Sequence, residues 1–344
     1  MFEKFGICTT IQFFRFLLKL ILIRKEPKLF IRDLTFKDVP VRIYQPKRPS
    51  TGLRRGLVYL HGGSGMLGNK SIYKRKCCYL ARESDSVVVF VDFRLGPEHQ
   101  HPAQLSDCLT ATVYFMQNAK EYGVDPNCIV VGGESSGGIL CATVCRELVK
   151  KMHLPKIRAQ ILLYPFLQML NFSLPSHQQN RFGPGLFTTQ VIKYILMYLN
   201  EKTENLEGFL NNAHVPEEVA AKFKKWISAD LIPEEFKTKG YEPPLPVPFS
   251  KELYKSWAML SPLLDEDAIV QQLPQTYILT CEFDSLRDDG LLYKKRLEDN
   301  AVPVTWNHQQ DGFHGVTMFV DTGLFEFSST REVFKDIIHF IKGL

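Results

Sequence analysis

Near the end of this 344-residue chain a histidine stands between glycines, in Asp311-Gly312-Phe313-His314-Gly315. Far upstream, residues 130–138 read VVGGESSGG, two adjacent serines between glycine pairs, directly after an apolar run. Between these two stretches, Asp284 closes another apolar run, TYILTCEF. A hydroxyl, an imidazole and a carboxylate can together perform nucleophilic acyl transfer. The ring takes the hydroxyl proton, and the carboxylate orients the ring and stabilises its charge. Each part alone has a plainer reading: Gly-Ser clusters make turns, and a strand-end Asp caps or turns the chain. The weight lies in the combination, and in the order Ser, acid, His, which neither chymotrypsin nor subtilisin uses.

Which serine would attack follows from sterics. A nucleophile on a strand-to-helix elbow sits in a strained turn and needs small residues two before and two after it. Around Ser135 these are Gly133 and Gly137, whereas around Ser136 they would be Glu134 and Gly138. Ser135 is therefore the candidate, with Ser136 offering its backbone N–H. An earlier apolar run, GLVYL, ends in His61-Gly62-Gly63-Ser64-Gly65. Successive glycines there bring N–H groups close to a ligand, so His61, Gly62 and Gly63 form, with Ser136, the candidate oxyanion hole. A phosphate-cradling loop would need a Lys-Ser/Thr or a G-x-G-x-x-G register opening a helix, and neither is present. Among the other histidines, His99 and His101 lie in a proline-rich loop. His153, His177, His214, His308 and His339 read as surface or structural residues. Asp288 and Asp289 suit the first turn of a helix, where they complement its dipole.

These groups need a scaffold that brings distant segments to one edge. Eight β-type runs recur: FIRDLTF, VRIYQP, GLVYLHG, SVVVFVDF, CIVVGGES, AQILLYPF, TYILTCEFD and VTWNHQQD. From the third onward most are near-continuous apolar runs, as parallel strands covered on both faces require. Helical patterns alternate with them, in SIYKRKCCYLARE, QLSDCLTATVYFMQNAKEYG, GGILCATVCRELVKKM, DDGLLYKKRLEDN and REVFKDIIHFIKGL. The alternation predicts an α/β fold with a mostly parallel central sheet flanked by helices. Residues 176–260 break the rhythm, with amphipathic FTTQVIKYILMYLN and EEVAAKFKKWI and a proline-rich YEPPLPVPF. So long a loop is improbable without structure of its own, and a helical cap insertion is expected there. The expected division is an N-terminal apolar segment with the first strands (1–50), a core built from 51–175 and 261–344, and the cap.

Composition narrows the function classes. Forty-two basic against 37 acidic residues give +5, too small an excess to suggest a nucleic-acid partner. Cysteines at 8, 77, 78, 108, 128, 141, 145 and 281 form no C-x-x-C pair and no zinc spacing, so no metal is expected. Residues 11–23, IQFFRFLLKLILI, are strongly apolar but interrupted by Arg15 and Lys19. They are too short and too charged to span a bilayer. They suit an in-plane interfacial helix or a helix packed on the body with two snorkelling cations, and the sequence leaves both open. No A-x-A-like site follows to mark a cleaved signal peptide.

With these residues in hand, the chain resembles the hormone-sensitive-lipase-type branch of the α/β-hydrolases. It is most similar there to the arylacetamide deacetylase-like proteins of the like-3/like-4 subgroup. The resemblance runs over nearly the whole chain through HGG at 61–63, FRLGPEHQHPA at 93–103, GESSGG at 133–138, DSLRDDG at 284–290 and DGFHG at 311–315. It places the nucleophile, acid and base on Ser135, Asp284 and His314 and the oxyanion motif on His61, Gly62 and Gly63. Ser64, Glu134 and Ser136 replace the family's usual Gly, Asp and Ala; none removes a reacting atom. The family carries an N-terminal signal anchor that holds it in the endoplasmic reticulum membrane. The resemblance implies a membrane-associated location in the endoplasmic reticulum, although this chain starts where that anchor would already have ended. Asn69 and Asn171 open glycosylation sequons that count only if the chain reaches the lumen. The resemblance implies a serine hydrolase of lipophilic carboxylic esters or amides, needing no cofactor. The alternative is a catalytically silent lipophile-binding protein on the same scaffold.

Overall fold

The structure, a computed structural model, describes residues 26–151, 153–183, 186, 188–199, 206–238, 241–243, 247–250 and 261–344. The apolar run 11–23 lies outside them. All eight β-type runs are strands: β1 (Leu29–Phe36), β2 (Val39–Pro46), β3 (Arg54–Leu60), β4 (Val87–Val91), β5 (Val124–Glu134), β6 (Ala159–Leu163), β7 (Gln275–Phe283) and β8 (Val304–Phe313). They form one sheet in the order β1-β2-β4-β3-β5-β6-β7-β8. Only β1, β2 and the β2–β4 pairing are antiparallel; from β4 to β8 every neighbour is parallel. The carboxyl ends of β3, β5, β7 and β8 therefore share one edge. The order of filling reverses between β3 and β5, the kind of switch point at which open α/β sheets open a crevice.

Helices cover both faces. On one side lie α2 (Ala103–Gln117), α3 (Ser136–Val149) and α6 (Arg287–Asp299); on the other lie α1 (Lys74–Ser84) and α7 (Ser328–Lys342). Strand alternation divides the core accordingly. Val58 and Leu60 join the first layer while Leu57 and Tyr59 join the second. Each fully buried Val, Leu or Phe contributes about 1.5–3 kcal/mol, so these two layers dominate stability.

Cap helices α4 (Thr188–Tyr198) and α5 (Glu217–Ile227) correspond to the two amphipathic pieces expected in the insertion. Val191, Ile192, Ile195 and Leu196 of α4 pack on Phe166, Met169 and Leu286, which follow β6 and β7. Phe223, Trp226 and Ile227 of α5 bury against the core, where the Arg296 guanidinium lies 3.8 Å over the Trp226 ring. The helical pattern expected over 104–123 divides at Asn118, giving α2 and a short 3-10 turn, Ala119–Tyr122.

Candidate active site

Ser135 occupies the elbow between β5 and α3 with φ 52° and ψ −124°, a left-handed backbone that a non-glycine residue adopts only under constraint. The flanking glycines explain how the turn closes. A Cβ on Gly133 would fall 2.0 Å from the Gly137 carbonyl oxygen, and one on Gly137 would fall 2.2 Å from that of Leu60. Both positions two removed from Ser135 are thus closed to any side chain.

The three groups converge. His314 Nε2 lies 2.9 Å from Ser135 Oγ, and His314 Nδ1 lies 2.9 Å from Asp284 Oδ2. A carboxylate can only accept, so Nδ1 carries the proton and Nε2 is free to accept from the serine hydroxyl. Asp284 is almost wholly buried; its other oxygen accepts the Leu286 N–H at 2.9 Å. From the cap, Asn180 donates its amide to the Asp284 and Glu282 carbonyls at 3.1 Å each. The cap therefore holds the acid's backbone in place.

The loop after β3 lies against the elbow. Gly62 approaches so closely that a Cβ there would meet Ser135 Cβ at 3.2 Å. Ser136 opens α3, and the first N–H groups of a helix have no intrahelical acceptor. Its hydroxyl has a further role: it accepts the Ser64 N–H at 2.8 Å, tying the loop to the elbow through two of the residues that depart from the family pattern. The His61 ring turns away from the serine. It stacks 4.1 Å from Phe93, its Nδ1 bonds the Gly62 carbonyl, and burial lowers its pKa to about 4. Its side chain shapes the loop.

Behind Ser135 lies a group that sequence reasoning missed. Glu134 is buried and pairs with buried Lys76 of α1; it also accepts hydroxyl hydrogen bonds from Tyr59 at 2.8 Å, Tyr73 at 2.7 Å and Tyr164 at 3.1 Å. Thr317, three residues after His314, bonds both Lys76 (2.8 Å) and Glu134 (3.1 Å). Burial opposes the carboxylate's charge, but Lys76 and the phenols outweigh it and hold its pKa at about 2. The signal available in sequence was Glu134 itself, a charged residue in an otherwise apolar strand end.

The DSLRDDG stretch is also more than a helix start. Arg287, wholly buried, pairs with Glu282 and Asp288 and donates to the Phe236 carbonyl. Asp288 accepts the Ser176 N–H at 2.7 Å; Asp289 accepts from Leu167 N–H and the Gln168 amide at 2.9 Å each. Both aspartates stand in the first turn of α6, as expected for the dipole, yet their oxygens fasten the segment leading into the cap. Of the two sequons, Asn171 has its amide committed to the Ile227 carbonyl. Asn69 uses only its oxygen, accepting from the Ser71 and Ile72 N–H groups.

Beside Ser135 an apolar cavity opens between elbow and cap, lined by Ile139, Phe166, Met169, Val191, Ile195 and Leu286 among others. Tyr198 closes one side, its ring so near Gly65 that a Cβ there would lie 2.7 Å away, and its hydroxyl 3.1 Å from His101 Nδ1. Among the described residues no cluster of His, Cys, Asp or Glu could hold a metal ion, and no helix is long and apolar enough to cross a membrane.

Known proteins are similar to this chain in sequence and in fold. A family model described as the alpha/beta hydrolase fold matches residues 57–223 and 248–318. Arylacetamide deacetylase-like 4 and arylacetamide deacetylase-like 3 of Homo sapiens are each 42% identical over 348 residues, covering 100% of this chain and 86% of theirs. Arylacetamide deacetylase of Bos taurus is 37% identical, covering 86% of this chain and 77% of its own. The solved structure of DphMB1 superposes with a TM-score of 0.73 at 26% identity, over 97% of this chain and 91% of that one. Carboxyl esterase 2 of Tuber melanosporum shares the fold with a TM-score of 0.70 at 20% identity, over 94% and 88%. On this likeness the chain belongs to the α/β-hydrolase family, in its hormone-sensitive-lipase-type branch beside the arylacetamide deacetylase-like proteins.

Proposed function

We propose that the protein is a serine hydrolase of lipophilic carboxylic esters, acetyl esters and amides included, acting through an acyl-enzyme on Ser135. His314 Nε2 takes the hydroxyl proton as Oγ attacks the carbonyl carbon, and Asp284 stabilises the imidazolium that forms. N–H groups of Gly62, Gly63 and Ser136 receive the developing oxyanion, each lowering the barrier by about 3 kcal/mol. His314 then returns the proton to the leaving alcohol or amine. A water molecule, deprotonated by the same ring, releases the acid and restores the serine. The apolar cavity beside Ser135 favours a hydrocarbon or aromatic group on the substrate.

The observation that carries this reading is the unbroken relay Ser135–His314–Asp284, at 2.9 Å on both sides of the ring. A silent binding protein would have no need of it. Hydrolysis of p-nitrophenyl esters of increasing chain length tests the proposal. Wild-type protein turns them over and Ser135→Ala loses at least about 10³-fold in kcat; equal rates for the two proteins would refute it.

A further inference from the structure

The loop that follows β3 runs through three successive left-handed residues: Gly63 at φ 103°, Ser64 at 57° and Gly65 at 66°. Glycine adopts that backbone freely, whereas serine does so at a cost and keeps it only where its surroundings hold it there. The loop's carbonyls are fastened locally. That of Gly62 accepts from His61 Nδ1 at 2.7 Å, that of Gly63 from the Met66 and Leu67 N–H groups at 2.9 and 2.8 Å, and that of Gly65 from the Gly96 N–H at 2.8 Å. The N–H groups are held differently. Ser64 donates at 2.8 Å to the Ser136 hydroxyl oxygen, 72 residues away in the chain. The Gly62 and Gly63 N–H groups have no acceptor among the described residues.

Ser136, the acceptor, stands on fixed backbone. It opens α3 directly after Ser135, whose N–H donates to the Leu163 carbonyl at 2.9 Å. The Ser135 carbonyl in turn accepts from the Gly138 and Phe166 N–H groups at 2.8 and 3.1 Å. The elbow is thereby bound to β6 and to the chain that leaves it. The Ser64–Ser136 bond joins a loop with a disfavoured residue at its centre to rigid backbone one residue from Ser135. A bond placed there sets how far the Gly62 and Gly63 N–H groups stand from Ser135 Oγ. An error of about 1 Å in such a separation can cost about 10²-fold in rate.

We propose that the Ser136 hydroxyl is a positioning group for this loop. By taking the Ser64 N–H it holds residue 64 in the left-handed backbone, and so aims the Gly62 and Gly63 N–H groups at the oxygen that becomes negative when Ser135 attacks. The hydroxyl acts through the Ser64 backbone and touches no reacting atom; the Ser136 N–H is a separate contribution. The catalytic consequence rests on the proposed hydrolase reading, whereas the bracing of the loop rests on its geometry alone.

The test is a double-variant cycle on the full chain, Ser136→Ala and Ser64→Gly singly and together, with p-nitrophenyl butyrate as substrate. An interaction that matters only as charge develops lowers kcat and leaves KM alone. Ser136→Ala should lower kcat about tenfold, short of the about 10²–10³-fold that loss of a whole oxyanion donor costs. Its KM should stay within about twofold of wild type. Ser136→Thr, which keeps an acceptor oxygen, should recover most of the loss. In the Ser64→Gly background, where residue 64 needs no brace to stay left-handed, Ser136→Ala should cost only about two- to threefold. Amide exchange reads the same bond without turnover: the Ser64 N–H should exchange about tenfold faster in Ser136→Ala than in wild type, as loss of one hydrogen bond implies. An unchanged kcat in Ser136→Ala would overturn the proposal; with a raised KM it would mean that the hydroxyl binds substrate in the cavity instead. So would an equal kcat loss in both backgrounds, or unchanged exchange at Ser64. Absence of turnover by wild type would speak against the hydrolase reading alone, and the exchange measurement would still decide whether Ser136 braces the loop.

Discussion

At the scale of single residues, the hydroxyl, ring and carboxylate are held by neighbours as much as by their own bonds. Glu134, adjacent to Ser135, is buried with Lys76 and gathers three phenols and a threonine from the histidine loop. Removing one charge of such a pair leaves the other buried and unpaired, which costs about 3–5 kcal/mol; removing both is far milder. Glu134→Gln should therefore lower unfolding stability by that amount in urea. The double variant Lys76→Met/Glu134→Gln should recover most of the loss. Equal destabilisation by both would show that the carboxylate's hydrogen bonds, and not its pairing with Lys76, matter most.

At the scale of elements, the cap is fastened to the sheet by polar side chains at the start of α6. Asp289, buried under Leu167 and Gln168, has its pKa raised by burial to about 7. Unfolded, the same carboxyl titrates near about 4. Between these values the folded protein holds a proton that the unfolded chain has released, so stability falls as pH rises from about 4 to about 7 and is level above. Asp289→Asn removes that slope. Its stability relative to wild type should be more favourable at pH 8 than at pH 4, as urea titrations at the two pH values would record; a difference independent of pH would count against a protonated Asp289.

At the scale of the whole molecule, much of this was legible in the sequence, and the reasons are physical. Parallel strands buried on both faces must be apolar throughout, so β3 to β7 announce themselves. The elbow needs glycine on both sides of its serine, so Gly133 and Gly137 single out Ser135. EEVAAKFKKWI appears as α5 over its full length because its apolar residues repeat at helical spacing. The buried network was not legible: nothing in SIYKRKCCYLARE separates Lys76 from Lys74 and Arg75, and only the docking of α1 under the elbow buries it. For the same reason Asp288 and Asp289 read as dipole partners, their hydrogen bonds to the cap being products of tertiary structure. Nor could the sequence show that Asn180 steadies Asp284, since 104 residues separate them.

The central claim is that three groups spread over 180 residues of chain meet to make Ser135 a nucleophile. A fluorophosphonate probe tests it most directly, because it phosphonylates only an activated serine. The account predicts a single covalent adduct on folded wild-type protein, mapped by mass spectrometry to the peptide containing Ser135, lost in Ser135→Ala and strongly slowed in His314→Ala. An adduct that persists in Ser135→Ala, or none at all on the folded wild type, would contradict it.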